Sequence, residues 1–315
     1  MNNTKRITEG ALMTGIYLLL LLVIIFMPGI IGSVLLFTLP VPFVFYSYRH
    51  GWKSGILMFV ASIIFTTLFA TVVSLPITLL AGIGGLFLGG AMHRKRSPYE
   101  TWAVGSVGFI IGIVGIFLIT QLFFGINWMD QIRDSLNQAF TMTENMLGGM
   151  LTGEDSEQQM QMIREQINRL PDIIPSVLAV TGISFAFVSQ WLTYKLINRI
   201  ENKKFRFSSF LNFRLPTSVL WYYFIAMIVN YATMEGNGIF YLAAINVFTL
   251  TGILIALQGF SFIFFYAQKK KWSKAIPITA VVLSLLLPQI LLYLVRILGI
   301  IDIGFPLRKR VQEKK

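Results

Sequence analysis

The chain has 315 residues, of which 55% are hydrophobic and 13% are charged. A soluble domain typically carries about 25% charged residues, so this composition excludes a soluble globular protein and predicts a polytopic membrane protein. The net charge of +12 lies in short clusters between apolar runs, which argues against a nucleic-acid partner and indicates topology signals and contacts with anionic lipid. The chain has no cysteine, which excludes disulfides, thiolate nucleophiles and cysteine metal sites.

Nine apolar runs are long enough to cross about 30 Å of hydrocarbon as helices. They occupy residues 10–27, 30–47, 55–72, 75–92, 102–124, 173–197, 217–233, 239–267 and 275–298. The first run follows Lys5 and Arg6 and ends without a small-residue cleavage pattern, so we expect a retained helix rather than a removed signal peptide. The predicted fold class is all-α, a polytopic transmembrane bundle of about eight to nine spans.

The turn between the second and third runs sets the predicted orientation. Its sequence is LPVPFVFYSYRHGWKSG, over residues 39–55. Pro40 and Pro42 each lack a backbone N–H and so leave a carbonyl group in the helix without its partner. Inside a membrane this is tolerated where neighbouring helices satisfy the carbonyls, so we predict that this span lies inside the bundle. Short loops rich in Lys and Arg stay in the cytoplasm. Among the first five runs, basic turns at 49–53 and 93–96 alternate with uncharged turns, which predicts a bacterial cytoplasmic membrane protein with a cytoplasmic N-terminus.

Composition divides the chain into three predicted parts. Residues 1–125 form a five-span membrane block, and residues 173–315 form a three- to four-span block with a basic tail. Between them, residues 126–172 are polar, acidic and rich in Met. Apolar residues recur at helical spacing in two stretches of this middle part, from Trp128 to Leu147 and from Met160 to Leu170. We therefore predict an extracytoplasmic amphipathic helical hairpin.

The topology of the last run stays open at the level of sequence. A ninth crossing would leave the basic tail outside, against the charge rule. The alternative is a re-entrant element marked by Pro277 and Pro288. We expect the crossing, because a run of this length that is interrupted by proline cannot easily make two full spans.

Two pairs of glycines predict close helix packing in the first block. Gly85 and Gly89 lie four residues apart in the fourth span, and Gly108 and Gly112 lie four apart in the fifth. Small residues at this spacing let membrane helices approach closely. We predict that these two spans pack against each other, and a pivot or a cavity wall is the alternative.

Polar residues inside the spans are the candidates for a cavity or an ion pair, because burying them in hydrocarbon is costly unless they are paired or hydrated. Arg296 is the sharpest anomaly, with Glu235 or Asp302 as its predicted partner and an interface position as the alternative. For Asn246 we expect one of two roles, either to line a cavity or to make an interhelical hydrogen bond.

Catalytic and metal-binding motifs are not evident in the sequence. His50 and His93 fall in basic turns without carboxylates at metal spacing, and the chain has no H-E-x-x-H helix or phosphate loop. We predict no enzymatic activity, no cofactor and no metal. An intramembrane hydrolase without a linear motif is the alternative.

The chain resembles the YybS-like family of bacterial multi-pass membrane proteins, which has no assigned function. The resemblance rests on TEGALMTGIY in the first span, on the hairpin LPVPFVFYSYRHGWKSG, and on the Gly-rich end of the fourth span. LQGFSFIFFYAQKKK at residues 257–271 and LGIIDIGFPLRKR at residues 298–310 extend it over most of the chain. It implies a multi-pass membrane protein.

The first five spans are also similar to the S components of energy-coupling-factor vitamin transporters, which share a basic turn after a proline-bearing second helix. S components dock on a transmembrane coupling component through small residues spaced four apart on the first helix. Ala11 and Gly15 occupy the matching position here, with Gly in place of the usual second Ala. The resemblance implies a docking groove, and internal packing is the alternative. The acidic hairpin and the additional C-terminal spans depart from the S-component pattern.

Two functions of different classes follow. The first is a transport-related membrane component that captures a small solute from outside and works with a coupling partner. The second is a membrane scaffold for envelope or signalling partners, without a solute. A polar, outward-open pocket among the first five spans favours the first function, and an interior filled with Leu and Phe favours the second.

Overall fold

A computed structural model describes residues 3–27, 29–147, 154–233, 238–305 and 307–308. For residue 147 and for residues 154–160 it describes the backbone and not the side chains. Every regular element in this part of the chain is a helix, as expected for an all-α membrane protein. Two compact units are distinguished, and each is described by itself. Unit 1 comprises Met1–Leu147 and Leu178–Phe207, and unit 2 comprises Gly148–Val177 and Ser208–Lys315. The units divide the chain at positions other than the three parts suggested by composition.

Thirteen α-helices are described within these ranges. Unit 1 holds α1 (Asn3–Phe26), α2 (Ile30–Leu36), α3 (Val41–His50), α4 (Trp52–Phe69), α5 (Leu75–His93), α6 (Pro98–Phe124) and α7 (Trp128–Leu147). Helix α8 (Glu154–Arg169) belongs to unit 2, and α9 (Ile174–Glu201) contributes to both units. Unit 2 continues with α10 (Ser218–Ala232), α11 (Ile239–Lys269), α12 (Ala275–Leu286) and α13 (Tyr293–Gly304).

The helices agree with most of the predicted membrane spans. Among the described residues, seven helical stretches are long and apolar enough to cross a membrane, and the count is eight if the last, bent pair is one span. The predicted seventh run is α10, an apolar helix of 15 residues. The polytopic helical bundle is thus confirmed. The seventh run is shorter than a full span, and the ninth run is bent.

The second span is interrupted but internal, as predicted. Short turns separate α2 from α3, and Pro40 and Pro42 lie at the start of α3, where missing N–H groups would be unpaired in any case. Leu39, Phe43 and Val44 are fully buried in this span. Gly51 then adopts a φ of 80° and ends α3, so that α4 starts at the next residue.

The sequence around α6 shows how local chemistry sets helix ends. Ser97 Oγ accepts a hydrogen bond from the Glu100 amide, and the Ser97 amide donates to Glu100 Oε2 at 2.9 Å. This capping box, with Pro98 as the first helical residue, starts the helix. Gly125 ends it with a φ of 65°.

The fourth and fifth spans, α5 and α6, pack against each other as predicted, but the two glycine pairs do not both lie at this contact. A Cβ atom on Gly85 would lie 2.5 Å from Phe43 Cβ, and one on Gly89 would lie 2.5 Å from the Val44 oxygen, so both glycines face α3. Gly108 and Gly112 instead face α5. Helix α5 is therefore held between α3 and α6, and of these four glycines only Gly108 and Gly112 lie at the contact between the fourth and fifth spans.

The polar middle part forms two amphipathic helices, α7 and α8, as the helical spacing predicts. The glycines expected to separate them, Gly148, Gly149 and Gly153, lie outside the described residues.

The last apolar run is two helices rather than one. α12 and the segment Pro288–Gly304 are bent by 114° relative to each other. Pro288 lacks an N–H and its ring clashes with the preceding turn, which explains a break at this residue. At about 1.5 Å per residue, α12 is about 18 Å long and the helical segment Pro288–Gly304 is about 25 Å long, so each is shorter than about 30 Å of hydrocarbon.

Contacts within unit 2 locate the end of this run. Arg308 donates hydrogen bonds to the Leu211 carbonyl and, at 3.2 Å, to Ser261 Oγ. Leu211 lies in the loop before α10, and Ser261 lies in the half of α11 that ends at Lys269. The chain therefore leaves the basic turn after α11 and returns to the same end of unit 2. This geometry favours the re-entrant alternative over the expected ninth crossing, and it removes the conflict between the basic tail and the charge rule.

Candidate functional site

Charged side chains from three helices meet at one end of unit 1. Arg49 Nε donates to Glu201 Oε1 at 2.6 Å, and Arg49 Nη1 lies 3.3 Å from Glu9 Oε1. The second oxygen of Glu9 lies 2.7 Å from His50 Nε2. Lys203 Nζ lies 2.8 Å from Glu201 Oε2. This charged network joins the start of α1, the end of α3 and the end of α9, and we call this end of unit 1 its basic end.

Two further groups connect the network to the neighbouring basic turn. Lys203 Nζ donates to the Tyr48 hydroxyl, which itself lies 3.3 Å from Glu201 Oε2. These hydrogen bonds to the Glu201 carboxylate and then to Tyr48 raise the pKa of Lys203, so its ammonium stays charged at neutral pH. His93 Nδ1 lies 2.8 Å from the Tyr48 carbonyl oxygen, which can only accept, so this nitrogen carries the proton.

A cavity of about 620 Å³ opens beside the network, within the range of about 300–1,000 Å³ typical of small-molecule sites. We call it the basic pocket. Its charged lining residues are Arg49, Lys95, Arg96, Glu201 and Lys203. Four cations and one carboxylate leave three positive charges before His93 is counted. A pocket of this kind favours an anionic ligand, because several cations of one sign line the same cleft.

Aromatic rings form the apolar part of the basic pocket. Tyr48, Tyr194 and Phe205 line it. The Tyr194 and Phe205 rings stack with centroids 5.2 Å apart, and Tyr48 meets Phe205 edge-on at 5.7 Å. The Asn198 side chain fixes the loop that carries Phe205 by hydrogen bonds to both the amide and the carbonyl of that residue. The pocket therefore combines an aromatic wall with the ammonium groups of Lys95 and Lys203.

The interior of the first five spans is filled rather than hollow. Its fully buried residues include Tyr17, Leu21, Leu39 and Phe43, and Phe59 and Ile77 pack against them. The polar cavity lies at the basic end, where the sequence predicts the cytoplasm, and not at the end with the uncharged turns. Capture of a solute from outside is thus not the arrangement that these cavities favour, and a filled interior is the arrangement expected of the scaffold.

The small residues of α1 face away from the interior of unit 1. Ala11 is exposed, and a Cβ atom on Gly15 would find no atom within 4 Å. Gly10, on the opposite side of the helix, lies against the Tyr46 hydroxyl. Internal packing within unit 1 therefore does not explain Ala11 and Gly15.

Asn246 makes interhelical hydrogen bonds, which is one of the two roles that its sequence position suggests; the other is to line a cavity. Its Oδ1 accepts from the Ser176 amide at 2.8 Å, and its Nδ2 donates to the Asp172 carbonyl at 2.7 Å. The first turn of a helix has amide groups without helical partners, and Asn246 on α11 satisfies one of them at the start of α9.

Asp302 pairs with Arg308 and not with Arg296. Arg308 Nη2 lies 2.6 Å from Asp302 Oδ2, and both side chains are almost fully buried. Gln258 donates to the same carboxylate and accepts from the Leu215 amide at 3.0 Å. All of these groups belong to unit 2. The buried carboxylate and guanidinium are thus satisfied by a local network, which explains why they are tolerated in an apolar region.

Arg296 has no salt bridge to any carboxylate that the structure describes. Its guanidinium lies 5.9 Å from the centre of the Phe248 ring and 3.2 Å from the position of a Cβ on Gly252, and its Nε atom has no hydrogen-bond partner among the described groups. The predicted partner Glu235 lies outside the described residues.

Sequence reasoning missed the charged network and the basic pocket. Glu9, Glu201 and Lys203 are far apart in the chain, and each looks like an ordinary charge near the end of a span. Arg49, His50 and His93 were noted only as parts of basic turns. Within the described residues, no group of three or more His, Asp or Glu side chains could hold a metal ion.

The apolar helical spans define an integral membrane protein of the polytopic α-helical class, which contacts the lipid bilayer. The chain belongs to the family described as "Predicted membrane protein (DUF2232)", whose family model matches residues 15–303. It is 29% identical over 312 residues to the "Uncharacterized protein YybS" of Bacillus subtilis (strain 168), and this match covers 99% of the chain and 100% of that relative. The resemblance to the YybS-like family is confirmed. No solved structure matches the chain.

Proposed function

We propose that the protein is a transport-related membrane component that binds a small organic anion in the basic pocket of unit 1. The observation that carries this proposal is the lining of the pocket, where four cations and a single carboxylate stand beside three aromatic rings. The role that we propose for the pocket is binding.

The cations of the pocket differ in their availability to a ligand. Arg49 and Lys203 neutralise Glu201, so this carboxylate does not repel an anion strongly. Lys95 and Arg96 are exposed and form no salt bridge with a described residue. A carboxylate or phosphate would therefore bind at Lys95 and Arg96, with the third N–H of Lys203 as a further donor and an apolar portion against the aromatic wall. By the charge rule, this pocket faces the cytoplasm, so we propose binding from that side.

The proposal is tested by identifying the small molecules that co-purify with the protein in mild detergent, using mass spectrometry. The wild-type protein is compared with the double variant Lys95→Gln and Lys203→Gln. A matched control, Lys269→Gln and Lys270→Gln, removes the same charge from another basic turn. We expect an organic anion with the wild type and the control, and about a tenfold or greater loss in the pocket variant, because each charge-assisted hydrogen bond contributes about 1.5–3 kcal/mol. Equal recovery from all three proteins would contradict the proposal.

An interaction protein is the second candidate, favoured by the open face of α1. Ala11 and Gly15 form a shallow apolar surface that nothing in unit 1 covers. Small residues spaced four apart let a second membrane helix approach closely. The occupant would be a transmembrane helix of a partner, either a transporter coupling component or a client of a scaffold.

Co-purification of membrane partners tests this second candidate. Gly15→Leu should leave the protein folded, since the position has open space, and should remove a specific partner. Gly115→Leu is a matched control, because Gly115 on α6 also has no atom within 4 Å of a built Cβ. Loss of the same partner from both variants, or from neither, would reject α1 as the docking face.

A further inference from the structure

A second cavity in unit 1 is an apolar groove with arginines at one end. Its volume is about 420 Å³. We call it the α4–α6 groove, because α4, α5 and α6 supply its walls with Trp52, Ile56, Leu86, Phe87, Gly90, Ala91 and Val104. Arg94 and Arg96, in the turn between α5 and α6, complete its lining.

The polar and apolar parts of the groove lie at different depths along the helix axes. Phe87 precedes Arg94 by seven residues, which is about 10 Å along the helix axis. The apolar part therefore lies within the depth of a membrane span, and the arginines lie at the basic end of unit 1. Trp52, which is 49% exposed, stands at the start of α4 near the same end. Tryptophan at this depth is typical of the membrane interface.

Gly90 keeps the groove open. A Cβ atom at this position would lie 3.6 Å from Trp52 Cβ, an ordinary contact, and would meet nothing else within 4 Å. Gly85 and Gly89 on the same helix are instead held tightly against α3. Gly90 therefore faces free space on the outer side of α5, where a larger side chain would reduce the groove.

Neither arginine of the groove has a salt bridge with a described carboxylate. Both are exposed. A guanidinium binds a phosphate oxygen pair through two parallel hydrogen bonds, and the planar fork suits a phosphate better than an ammonium does. The groove thus offers two phosphate-binding groups directly above an apolar channel.

We propose that the α4–α6 groove is a binding site for an anionic phospholipid. The phosphate lies between Arg94 and Arg96, and an acyl chain runs along Ile56, Phe87 and Val104. Charge complementarity selects an anionic headgroup over a zwitterionic one. The apolar channel selects a lipid over a soluble anion, since a soluble anion gains nothing from these side chains. Basic pockets between membrane helices on the cytoplasmic side commonly bind such headgroups.

The position of Trp52 in the groove allows a direct test by fluorescence quenching. The protein is reconstituted in phosphatidylcholine vesicles that contain increasing fractions of chain-brominated phosphatidylglycerol or chain-brominated phosphatidylcholine. The chain has six tryptophans, so the contribution of Trp52 is the difference between each protein and the same protein with Trp52→Phe. We expect half-maximal quenching at an at least about fivefold lower fraction of phosphatidylglycerol than of phosphatidylcholine, from the attraction of anionic lipid to basic side chains.

Two variants test the contact with the lipid headgroup and the contact with the acyl chain separately. Arg94→Gln should reduce the preference for phosphatidylglycerol by about fivefold, because it removes one of the two cations. Gly90→Leu should weaken the quenching by both lipids. Lys269→Gln is a control that keeps the preference. Equal quenching of the wild type by the two lipids, or a preference that Arg94→Gln leaves unchanged, would overturn the proposal. Arg96 lines both the groove and the basic pocket, so the two variants are placed at Arg94 and Gly90, which line the groove but not the basic pocket.

Discussion

Each unit contains a charged network, and the two networks differ in exposure. In unit 1, Glu9, Arg49 and Glu201 keep between 15% and 28% of their side chains accessible, and a cation-rich pocket opens next to them. In unit 2, Asp302 and Arg308 are 1% and 3% accessible. The same chemical groups therefore stand in contact with solvent in one unit and are sealed inside the other.

This difference indicates different roles for the two networks. Every charged atom of the sealed pair is used by neighbouring groups, so the pair has no capacity left for a ligand and serves to fix the end of the last run. The open network neutralises its own carboxylates while the adjacent Lys95 and Arg96 stay accessible. Burial, rather than the number of charges, thus separates a structural network from a candidate binding site.

The largest expected effect is the all-or-none labelling of single cysteines, which the cysteine-free chain makes possible. If the sealed pair holds the chain end beside the loop before α10, cysteines at Ser208 and Gln312 should both be protected from an impermeant thiol reagent in intact cells. A cysteine at Ser156 should be labelled, as the predicted outer position of the polar part requires. Labelling of Gln312 with protection of Ser208 would restore a ninth crossing.

The next largest effect concerns the stability of unit 2. Arg308→Leu should lower the free energy of unfolding by about 3–5 kcal/mol, because it leaves the Asp302 carboxylate buried without its partner. The double variant with Asp302→Leu should recover a substantial part of this loss. A double-mutant cycle on thermal unfolding in detergent measures the coupling. Coupling near zero would show that the pair does not hold the chain end.

The coupling energy within the open network of unit 1 should be smaller than that within the sealed pair of unit 2, and it should depend on the salt concentration. Arg49→Gln and Glu201→Gln should show a coupling of about 1 kcal/mol or less, because partly exposed ion pairs are screened by solvent. This coupling should decrease as the salt concentration is raised from 0.05 to 0.5 M, whereas the coupling in unit 2 should change little. Equal salt dependence in the two units would remove the distinction between them.

The smallest effect is expected at Arg296. Arg296→Leu should lower the free energy of unfolding by only about 0.5–1 kcal/mol, because leucine can keep the packing beside Gly252 and the cation–π contact with the Phe248 ring is long, at 5.9 Å. Arg296→Lys is the matched control that keeps the charge. A loss comparable with that of Arg308→Leu would reveal a buried partner, and Glu235 would then be the first residue to test.

Much of the fold could be predicted from the sequence, because membrane spans are encoded locally. Apolar length, the basic turn around Arg49, and the helical spacing in residues 126–172 each reflect neighbouring residues, and the structure has helices at these places. The direction in which Gly85 and Gly89 pack could not be predicted. Any helix can enter a groove of small residues, and the choice of α3 depends on the whole bundle.

The candidate site was less predictable than the fold. Glu9, Arg49 and Glu201 come together only after three helices have packed, and no spacing in the chain brings them close. The partner of Asp302 was missed for another reason. Arg308 looked like part of a basic tail, and it becomes an internal residue only because the chain turns sharply at Pro288.

The most direct test of the central claim is a calorimetric titration of the purified protein with inorganic pyrophosphate, a simple multivalent anion. The wild type and the control variant Lys269→Gln with Lys270→Gln should bind it saturably with equal affinity. The variant Lys95→Gln with Lys203→Gln should bind at least about tenfold more weakly, because it removes two of the four cations from the pocket. No saturable binding to the wild type, or the same affinity in all three proteins, would contradict an anion-binding role for the basic pocket.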